Sequence, residues 1–458
     1  MYRELSPLLD ELRAELQSTL PDTGLAVDRE RLLDAYVERF ILYIGADISN
    51  NTITAVALDS SGEVLASLDK CVNEPKGFAH FRSWVEHLRT SAGARIVVVA
   101  AESTGVYYEE FWRYLARDTN YARTLYNPRT TAHMAEVTSV KVRDDITDAY
   151  LLAEQIRLGS TPESHPHQDE DLLIGRDCAR IVRGISKEVN RKKNQLKALL
   201  RTFNPALYRA LPGAKLYSRV GIALLRHYPF PQDIVAAGQR NLETLLAENG
   251  RGDASTLEAA AILKSAKACY GRPGRREVTR LRINDLLDDI QNLKRRKRSY
   301  LKLGYGQIET RPETPLLRAV YGAGPSITLG LISESGDASR FRNGDQLASF
   351  LGLTTSKHVS GTSLYVTKGI TKQGSPVGRY AAVKLADFLR RNVPQYTDMY
   401  NRIKARKPPR KGHFVALVAI ARHFVSNVLY DMLIHHRPFF TNVEDYRAYR
   451  RTRLKQGA

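Results

Sequence analysis

The feature that most constrains the fold of this chain is a group of strand patterns followed by alternating helix and strand patterns. Apolar residues with the two-residue period of β-strands begin at Phe40, and a polar turn interrupts them at Asp59–Gly62. The predicted elements are strands Ile41–Ile48, Thr52–Leu58 and Glu63–Leu68, helix Gly77–Thr90, strand Arg95–Ala101, helix Tyr107–Arg117 and strand Leu125–Asn127. This order indicates an α/β domain in which helices cover a mixed sheet in three layers.

The remainder of the chain is predicted to be mostly helical. Two heptad stripes, Cys178–Phe203 and Ile283–Tyr300, indicate the arms of an antiparallel helical hairpin or the dimer contacts of two such hairpins. Polar or glycine-containing segments at 159–171 and 304–315 are predicted to be linkers. The predicted parts are a helical extension 1–40, the α/β domain 41–160, a helical hairpin or coiled coil with an insertion 172–303, a C-terminal domain 314–440 and a basic tail 441–458.

The charge balance predicts a polyanionic partner. The 458 residues include 69 Lys and Arg against 49 Asp and Glu, a net charge of +20. A membrane surface is the weaker choice because no apolar run approaches the roughly 20 residues of a membrane-spanning helix. The N-terminus lacks the pattern of a signal peptide, and three widely spaced cysteines fit a reducing cytoplasm.

Basic residues are concentrated on both arms of the predicted hairpin and on the tail. The run Lys294–Arg298 lies on the second arm, and the tail segment Tyr446–Lys455 interleaves tyrosines with cations. Such runs can be solvated helix faces or, in the tail, a frayed terminus. They can also be nucleic-acid contacts, and the excess of positive over negative charge favours this second interpretation. The candidates on the first arm are Arg183, Lys187, Arg191, Lys193, Lys197 and Arg201, and those on the second include Lys294 and Arg295.

Four acidic residues are placed to form one site. Asp47 and Glu102 lie at the ends of two apolar strands, where the side chains of neighbouring parallel strands share a crevice. Asp145 and Asp148 are three residues apart and share one face of a predicted helix. Four converging carboxylates would repel one another without divalent cations, and oxygen ligands of this kind suit Mg²⁺ or Mn²⁺. Two such ions can catalyse phosphoryl transfer.

Other interpretations of these acids are possible. Each one can be a helix cap or a surface charge, and Asp144 is predicted to cap the following helix. An acid that ends an apolar strand costs free energy unless it is solvated or ligated. This cost argues against a mere cap or surface charge for Asp47 and Glu102. A strand bearing Asp before a hairpin also opens the sugar-kinase and actin-type ATPase fold, but the sequence contains no convincing second glycine-rich phosphate loop.

Two blocks of motifs resemble a known family. The first block comprises Tyr43–Ser49 (YIGADIS), Ala101–Tyr107 (AESTGVY) and Asp145–Ala149 (DITDA). The second comprises Val320–Pro325 (VYGAGP), Glu334–Phe341 (ESGDASRF), Gln346–Leu353 (QLASFLGL), Ser360-Gly361 and Gly369–Pro376 (GITKQGSP). In this order they resemble the RuvC-like DEDD domain and the C-terminal domain of bacterial insertion-sequence transposases, which are described as bridge-RNA-guided recombinases. The resemblance implies an RNase H-like fold for the first block.

The resemblance also implies a nucleophile and its surroundings. The family carries a serine before a glycine in its C-terminal domain, which corresponds to Ser360, and Lys368, Lys372 and Arg379 are then candidates for positioning the phosphate. The turn at Gly322 and Gly324 before Pro325 resembles a helix-hairpin-helix turn, although an ordinary helix end gives the same pattern. Ser375 stands where the family commonly has asparagine.

The function implied by the resemblance is DNA transposition through a 5′-phosphoserine at Ser360. Its carboxylates would bind Mg²⁺ or Mn²⁺, its partners would be donor and target DNA and a structured noncoding RNA, and it would act as a homo-oligomer, a dimer or tetramer, in the bacterial cytoplasm at the nucleoid. Two alternatives remain at this stage. One is a metal-dependent RuvC-like nuclease or Holliday-junction resolvase that uses water, and the other is a non-catalytic nucleic-acid-binding scaffold.

Overall fold

The chain divides into two compact units, Met1–His167 and Gln168–Ala458. A computed structural model describes residues 6–17, 37–103, 105–117, 121–137, 144–159, 169–250, 259–269, 271–272, 274–360 and 364–439. The predicted second helix of the N-terminal extension and the basic tail lie outside these residues. The domain boundaries drawn from the sequence remain predictions.

The first unit is an α/β domain. Its described elements are α1 (Ser6–Gln17), β1 (Ile41–Ile48), β2 (Thr52–Leu58), β3 (Val64–Val72), α2 (Pro75–Ser91), β4 (Ile96–Glu102), α3 (Glu109–Leu115), β5 (Tyr121–Tyr126), α4 (Pro128–Val137) and α5 (Asp145–Arg157). The strand order is β3-β2-β1-β4-β5. The first three strands are antiparallel, whereas β4 pairs parallel with β1 and β5 pairs parallel with β4. This mixed five-stranded sheet confirms the predicted RNase H-like fold.

Both faces of the sheet are buried, which explains why its central strands are apolar throughout. On one face, Phe78 and Phe81 of α2 and Phe111 of α3 pack on alternate residues of the strands. On the opposite face, Leu152 and Ile156 of α5 share a core with α1 and the other set of strand residues. The predicted three layers are therefore present, and α5 covers the face toward which Tyr43 points.

The second unit is built on two long helices. Its first helices are α6 (Glu170–Phe203), α7 (Pro205–Ala210), α8 (Arg219–His227), α9 (Pro231–Asn249), α10 (Ala259–Lys267) and α11 (Arg276–Ile308), with a 3₁₀ turn at Lys215–Tyr217. Helices α6 and α11 pack antiparallel, since Cys178 contacts Gly304 near one end and Lys192 pairs with Asp289 farther along. The predicted hairpin thus forms within the chain, and α7–α10 pack on its far end around Leu196, Leu200 and Ile283.

The C-terminal part adds helices around a short β-hairpin. Its elements are α12 (Glu313–Arg318), α13 (Pro325–Ser335), a 3₁₀ turn Ala338–Arg340, α14 (Gly344–Phe350), β6 (Thr355–Ser360), β7 (Leu364–Ile370), α15 (Pro376–Asn392), α16 (Pro394–Ala405), α17 (Pro409–Phe424), a π-helical turn Val425–Leu429 and α18 (Tyr430–His435). The antiparallel pair β6–β7 forms a sheet of its own. The sequence pattern does not predict this hairpin.

The predicted linker at 304–315 is wrong. Helix α11 continues through Gly304 to Ile308, and both residues are buried. A Cβ atom on Gly304 would stand 2.5 Å from Cβ of Cys178, so the glycine allows two helices to approach closely and does not end one. Ile308 belongs to the core of the C-terminal helices, which also contains Leu172 and Cys178 of α6. The base of the hairpin and the C-terminal helices therefore share one core.

One helical stretch, Lys411–His435, is long and apolar enough to cross a membrane by length and composition. Its residues Leu417, Ile420 and Phe424 are buried in the core of the C-terminal part. That packing is typical of a core helix.

Candidate active site

Asp47 and Glu102 come to the same edge of the sheet in the first unit. Strands β1 and β4 are parallel, and Ala46 pairs with Ala101, so the two acids follow paired residues. Asp47 is half-buried and Glu102 is partly buried. Because side chains alternate along a strand, Asp47 lies on the face of Tyr43, which is the face that α5 covers.

Gly45 brings α5 against this edge. A Cβ atom on Gly45 would stand 1.9 Å from the carbonyl oxygen of Ala149 and 2.5 Å from the nitrogen of Ala153. The backbone of α5 can pack this closely only because residue 45 has no side chain. The first turn of α5, which carries Asp145 and Asp148, therefore lies beside Asp47, two residues along β1 from Gly45.

Asp144 has the capping role that the sequence predicted. Its carboxylate accepts a hydrogen bond of 2.7 Å from the backbone N–H of Thr147, and its backbone is extended. This is the N-cap geometry that fixes where a helix begins. The cap sets the start of α5 at Asp145, so that Asp145 and Asp148 both lie in its first turn.

The four acids interact electrostatically. Burial raises the pKa of Asp47, the negative charges of Asp145, Asp148 and Glu102 add to this effect, and together they bring the pKa to about 6. The three acids that repel Asp47 are the same three that the sequence pattern groups with it. The structure thus brings the four predicted carboxylates to one place.

The chemistry of this donor set fits a divalent cation. It consists of carboxylate oxygens, and their repulsion is the kind that a bound cation neutralises. Within the described residues, however, no three His, Cys, Asp or Glu side chains are grouped closely enough to hold one ion. The carboxylates are thus close enough to repel one another but not arranged as ligands.

Two loops beside the carboxylates are tied together by Asn73. Its side-chain amide donates to the carbonyl oxygen of Ser49 at 2.9 Å and to that of Tyr107 at 3.0 Å. The first loop follows β1 and the second follows β4. Val106 and Tyr107 are exposed on the second loop, at 67% and 44%. Sequence reasoning missed both Asn73 and the close approach at Gly45, since neither residue type signals a long-range contact.

Ser360 ends strand β6 in the second unit. Its backbone pairs with Leu364 at the start of β7, and Gly361–Ser363 lie outside the described residues. Lys368 lies on β7. The predicted serine is thus at the end of a β-hairpin.

Two family models match the chain. One, for IS110-type DEDD transposases and described as "Transposase", matches residues 44–205, which include the four carboxylates. The other, described as "Transposase IS116/IS110/IS902 family", matches residues 314–401, which include Ser360. The chain belongs to the IS110/IS116 family of insertion-sequence transposases. It is therefore a DNA transposase.

Curated relatives agree with this assignment. An "Insertion element IS110 uncharacterized 43.6 kDa protein" of Streptomyces coelicolor is 24% identical over 406 residues, 86% of the transposase and 94% of the relative. An "Insertion element IS116 uncharacterized 44.8 kDa protein" of Streptomyces clavuligerus is 24% identical over 321 residues, 70% of the transposase and 77% of the relative. Both matches extend well beyond either single family model.

Lys372, Ser375 and Arg379 have structural roles around the loop after β7. Lys372 has a left-handed backbone, and its carbonyl oxygen accepts from the guanidinium of Arg379 at 3.2 Å. Arg379 also donates to the carbonyl oxygen of Leu351, and burial lowers its pKa. Ser375 caps α15 by accepting from the N–H of Gly378 at 2.9 Å. Serine is among the preferred N-cap residues, so Ser375 is well suited to begin α15.

The basic candidates on the hairpin have different surroundings. The guanidinium of Arg183 lies 3.5 Å from the ring centre of Tyr380 on α15, so one of its faces is covered. Lys187 is exposed, Arg191 lies 3.6 Å from Glu188, and Arg295 donates to Asn292. Lys197 and Lys294 are partly buried. The structure does not bring all of these residues into one group.

Gly45→Ala is expected to destabilise the first unit of the transposase and to impair DNA cleavage. The added methyl group would collide with the backbone of α5, and overpacking of this kind costs about 1–3 kcal/mol. A shift of α5 by about 1 Å would displace Asp145 and Asp148 and reduce activity about 100-fold. Thermal denaturation and a cleavage assay measure the two effects. Gly184→Ala is the control, because nothing lies within 4 Å of a Cβ atom there; equal behaviour of the two variants would contradict the role of Gly45.

Asp47→Asn is expected to raise the melting temperature of the metal-free transposase at about pH 8. A carboxyl whose folded pKa is above its unfolded value destabilises the fold wherever it is ionised in the folded state. With a discount for the partial exposure of Asp47, the free energy of unfolding should rise by about 1 kcal/mol. This corresponds to an increase of roughly 2–4 °C in the melting temperature. The gain should be complete above pH 6 and vanish as the pH falls to 3.8, the ordinary pKa of Asp. Denaturation scans in chelator across this range test it, and a lower melting temperature at pH 8 would contradict the carboxylate repulsion.

Proposed function

We propose that this transposase cuts and rejoins DNA through a covalent 5′-phosphoserine at Ser360, with Mg²⁺ or Mn²⁺ held by Asp47, Glu102, Asp145 and Asp148. The observation that carries the proposal is the convergence of four carboxylates at the edge where α5 packs on Gly45. Residues 314–401, which the second family model matches, contain a serine at the end of a β-hairpin.

The proposed reaction exchanges one phosphodiester for another. The Ser360 hydroxyl oxygen attacks the scissile phosphorus, the bond from phosphorus to the 3′ oxygen breaks, and the serine loses the proton that the 3′ oxygen gains. A 3′-hydroxyl of the partner strand then attacks the phosphoserine and releases the serine. Because the number of phosphoester bonds is unchanged, rejoining needs no ATP. A divalent ion, when bound, would stabilise the charge that develops on the phosphate.

The protein's own residues prepare this chemistry. The apolar strands β1 and β4 hold the backbone of Asp47 and Glu102 at one edge of a rigid sheet. The cap at Asp144 fixes the start of α5 and thereby the direction of Asp145 and Asp148. Arg379 holds the loop after β7 through two carbonyl oxygens, so we assign it to positioning that loop, whereas Lys368 and Lys372 remain proposed phosphate contacts.

We further propose that donor and target DNA are selected by a structured noncoding RNA, and that the transposase acts as a homo-oligomer, a dimer or tetramer, in the bacterial cytoplasm at the nucleoid. The net charge of +20 supports a polyanionic partner. The exposed cations Lys187, Arg191 and Arg295 are proposed contacts to nucleic-acid backbone.

The experiment that tests RNA guidance is purification of the transposase expressed beside its native flanking DNA. After a wash in moderate salt, the bound nucleic acid is sequenced. We expect one discrete RNA encoded next to the gene. A heterogeneous mixture, or no RNA, would contradict RNA guidance and would assign the charge to general DNA contact.

A further inference from the structure

Four lysines of the hairpin lie close together beside Tyr217 of the 3₁₀ turn Lys215–Tyr217. Lys193 and Lys197 lie on α6, and Lys294 and Lys297 lie on α11. All four are partly buried. We call this group, together with Tyr217, the lysine crevice. The lysine crevice lies near a small hydrophobic cluster of Ile185, Val189 and Leu293. This cluster is between the larger cores at the two ends of the hairpin.

Tyr217 organises the crevice. The ammonium of Lys193 lies 4.5 Å from the ring centre of Tyr217, and that of Lys294 lies 5.9 Å from it. The Tyr217 hydroxyl donates to the backbone carbonyl oxygen of Lys193 at 3.1 Å. Burial raises the pKa of Tyr217 to about 12, so the hydroxyl remains a donor at neutral pH. One aromatic ring thus holds two cations from two helices by cation–π contacts.

The lysine crevice differs from the other cations nearby because its charges are not neutralised. Lys192 pairs with Asp289 at 2.5 Å, and Arg226 pairs with Asp288. None of the four crevice lysines has a carboxylate partner in the described part of the chain. Burial lowers the pKa of Lys193, and the charges of Lys294, Lys197 and Lys297 lower it further.

Unpaired, partly buried ammonium groups are costly, and an anion would remove the cost. An extended polyanion fits better than a small one, since the four cations come from two helices and the exposed Arg295 and Arg298 add further positive charge on α11. Ammonium groups bind phosphate as point charges without needing planar geometry. Sites for single-stranded nucleic acid also combine cations that contact the backbone with aromatic side chains that stack on bases.

We propose that the lysine crevice of Lys193, Lys197, Lys294, Lys297 and Tyr217 binds the phosphodiester backbone of a nucleic acid. This inference rests on the proposed function, which requires a nucleic-acid partner, and it assigns one backbone contact to a defined place on the hairpin. The ligand is recognised by its phosphates, so the source is either DNA or RNA.

The test is the salt dependence of binding by Lys193→Gln/Lys294→Gln. Affinities for a labelled mixed-sequence duplex DNA and a labelled stem–loop RNA are measured over a range of salt. Each lost phosphate contact lowers the slope of log affinity against log salt by about 1, so the double variant should lose about 2. Removing mutual repulsion should leave its melting temperature unchanged or higher, which a merely structural role of these lysines would not do.

Lys192→Gln is the matched control. It removes the same charge from the neighbouring residue, but that charge is already paired with Asp289, so the slope should stay that of the wild type. A smaller slope for the double variant with either ligand supports the proposed site. The ligand that shows the smaller slope identifies the bound nucleic acid as DNA or RNA. An unchanged slope with both ligands would overturn it. If the wild type binds neither nucleic acid, the proposed function itself fails, which separates the two failures.

Discussion

Asp47→Asn is expected to reduce DNA cleavage by the transposase about 10³-fold at saturating Mg²⁺. Loss of one carboxylate weakens both metal binding and the stabilisation of charge on the phosphate, and a loss of about 4 kcal/mol corresponds to this factor. The structural reason is that Asp47 is the acid whose pKa reports repulsion from the other three. The measurement is single-turnover cleavage of labelled DNA bearing an element end, with the RNA present.

The control for this variant is Asp144→Asn. Asp144 precedes α5 directly, is exposed and acts as the cap, and asparagine caps a helix about as well as aspartate. Cleavage by Asp144→Asn should therefore stay near that of the wild type, although the same charge is removed beside the same site. If both variants lost activity equally, general electrostatics and not a specific carboxylate site would explain the effect. If Asp47→Asn kept full activity, the non-catalytic scaffold would be favoured.

Ser360→Ala is expected to abolish strand exchange, with a loss of at least about 10⁴-fold, because no covalent intermediate can form. The carboxylates are unchanged in this variant, so binding of Mg²⁺ should persist. The assay follows both joined products and free cleaved ends of labelled DNA. Cleaved ends without joining would indicate hydrolysis and would favour the metal-dependent nuclease or Holliday-junction resolvase.

Ser363→Ala provides the matched control for the nucleophile. It removes a hydroxyl three residues farther along the same segment, while the Ser-Gly pair at residues 360–361 stays intact. Strand exchange by Ser363→Ala should continue. Loss of exchange in Ser363→Ala but not in Ser360→Ala would move the nucleophile to the other serine.

The sheet could be predicted because its signals are local. The two-residue period and the apolar run of β4 identify strands, and an acid at the end of an apolar strand suggests a site. Parallel pairing of β1 and β4 follows because two antiparallel turns return β3 to the direction of β1, and a helix then connects β3 to β4. The close approach of α5 to Gly45 is a contact across about a hundred residues, and the sequence around it shows only an ordinary glycine in a strand.

A glycine also explains why the predicted linker at 304–315 is wrong. Glycine often ends a helix, so the segment that begins at Gly304 is predicted to be a linker. In the structure it lies inside α11, where its missing side chain allows contact with Cys178. The β6–β7 hairpin was missed for a different reason, since two short strands that pair only with each other carry little pattern.

The lysine crevice could not be predicted from the sequence either. The basic runs on both arms were evident, but paired and unpaired lysines look alike in a sequence. Lys192 and Lys193 are neighbours, and only the structure shows that Asp289 neutralises one and Tyr217 contacts the other.

The most direct test of the central claim is detection of the covalent intermediate. Wild-type transposase is incubated with Mg²⁺, any RNA that co-purifies with it, and DNA carrying an element end. The reaction is stopped with denaturant, and the digested protein is analysed by mass spectrometry. We predict a nucleotide joined through its 5′-phosphate to the peptide that contains Ser360, and no such adduct in Ser360→Ala. Accumulation of free 5′-phosphate ends without any adduct on Ser360 would contradict the account.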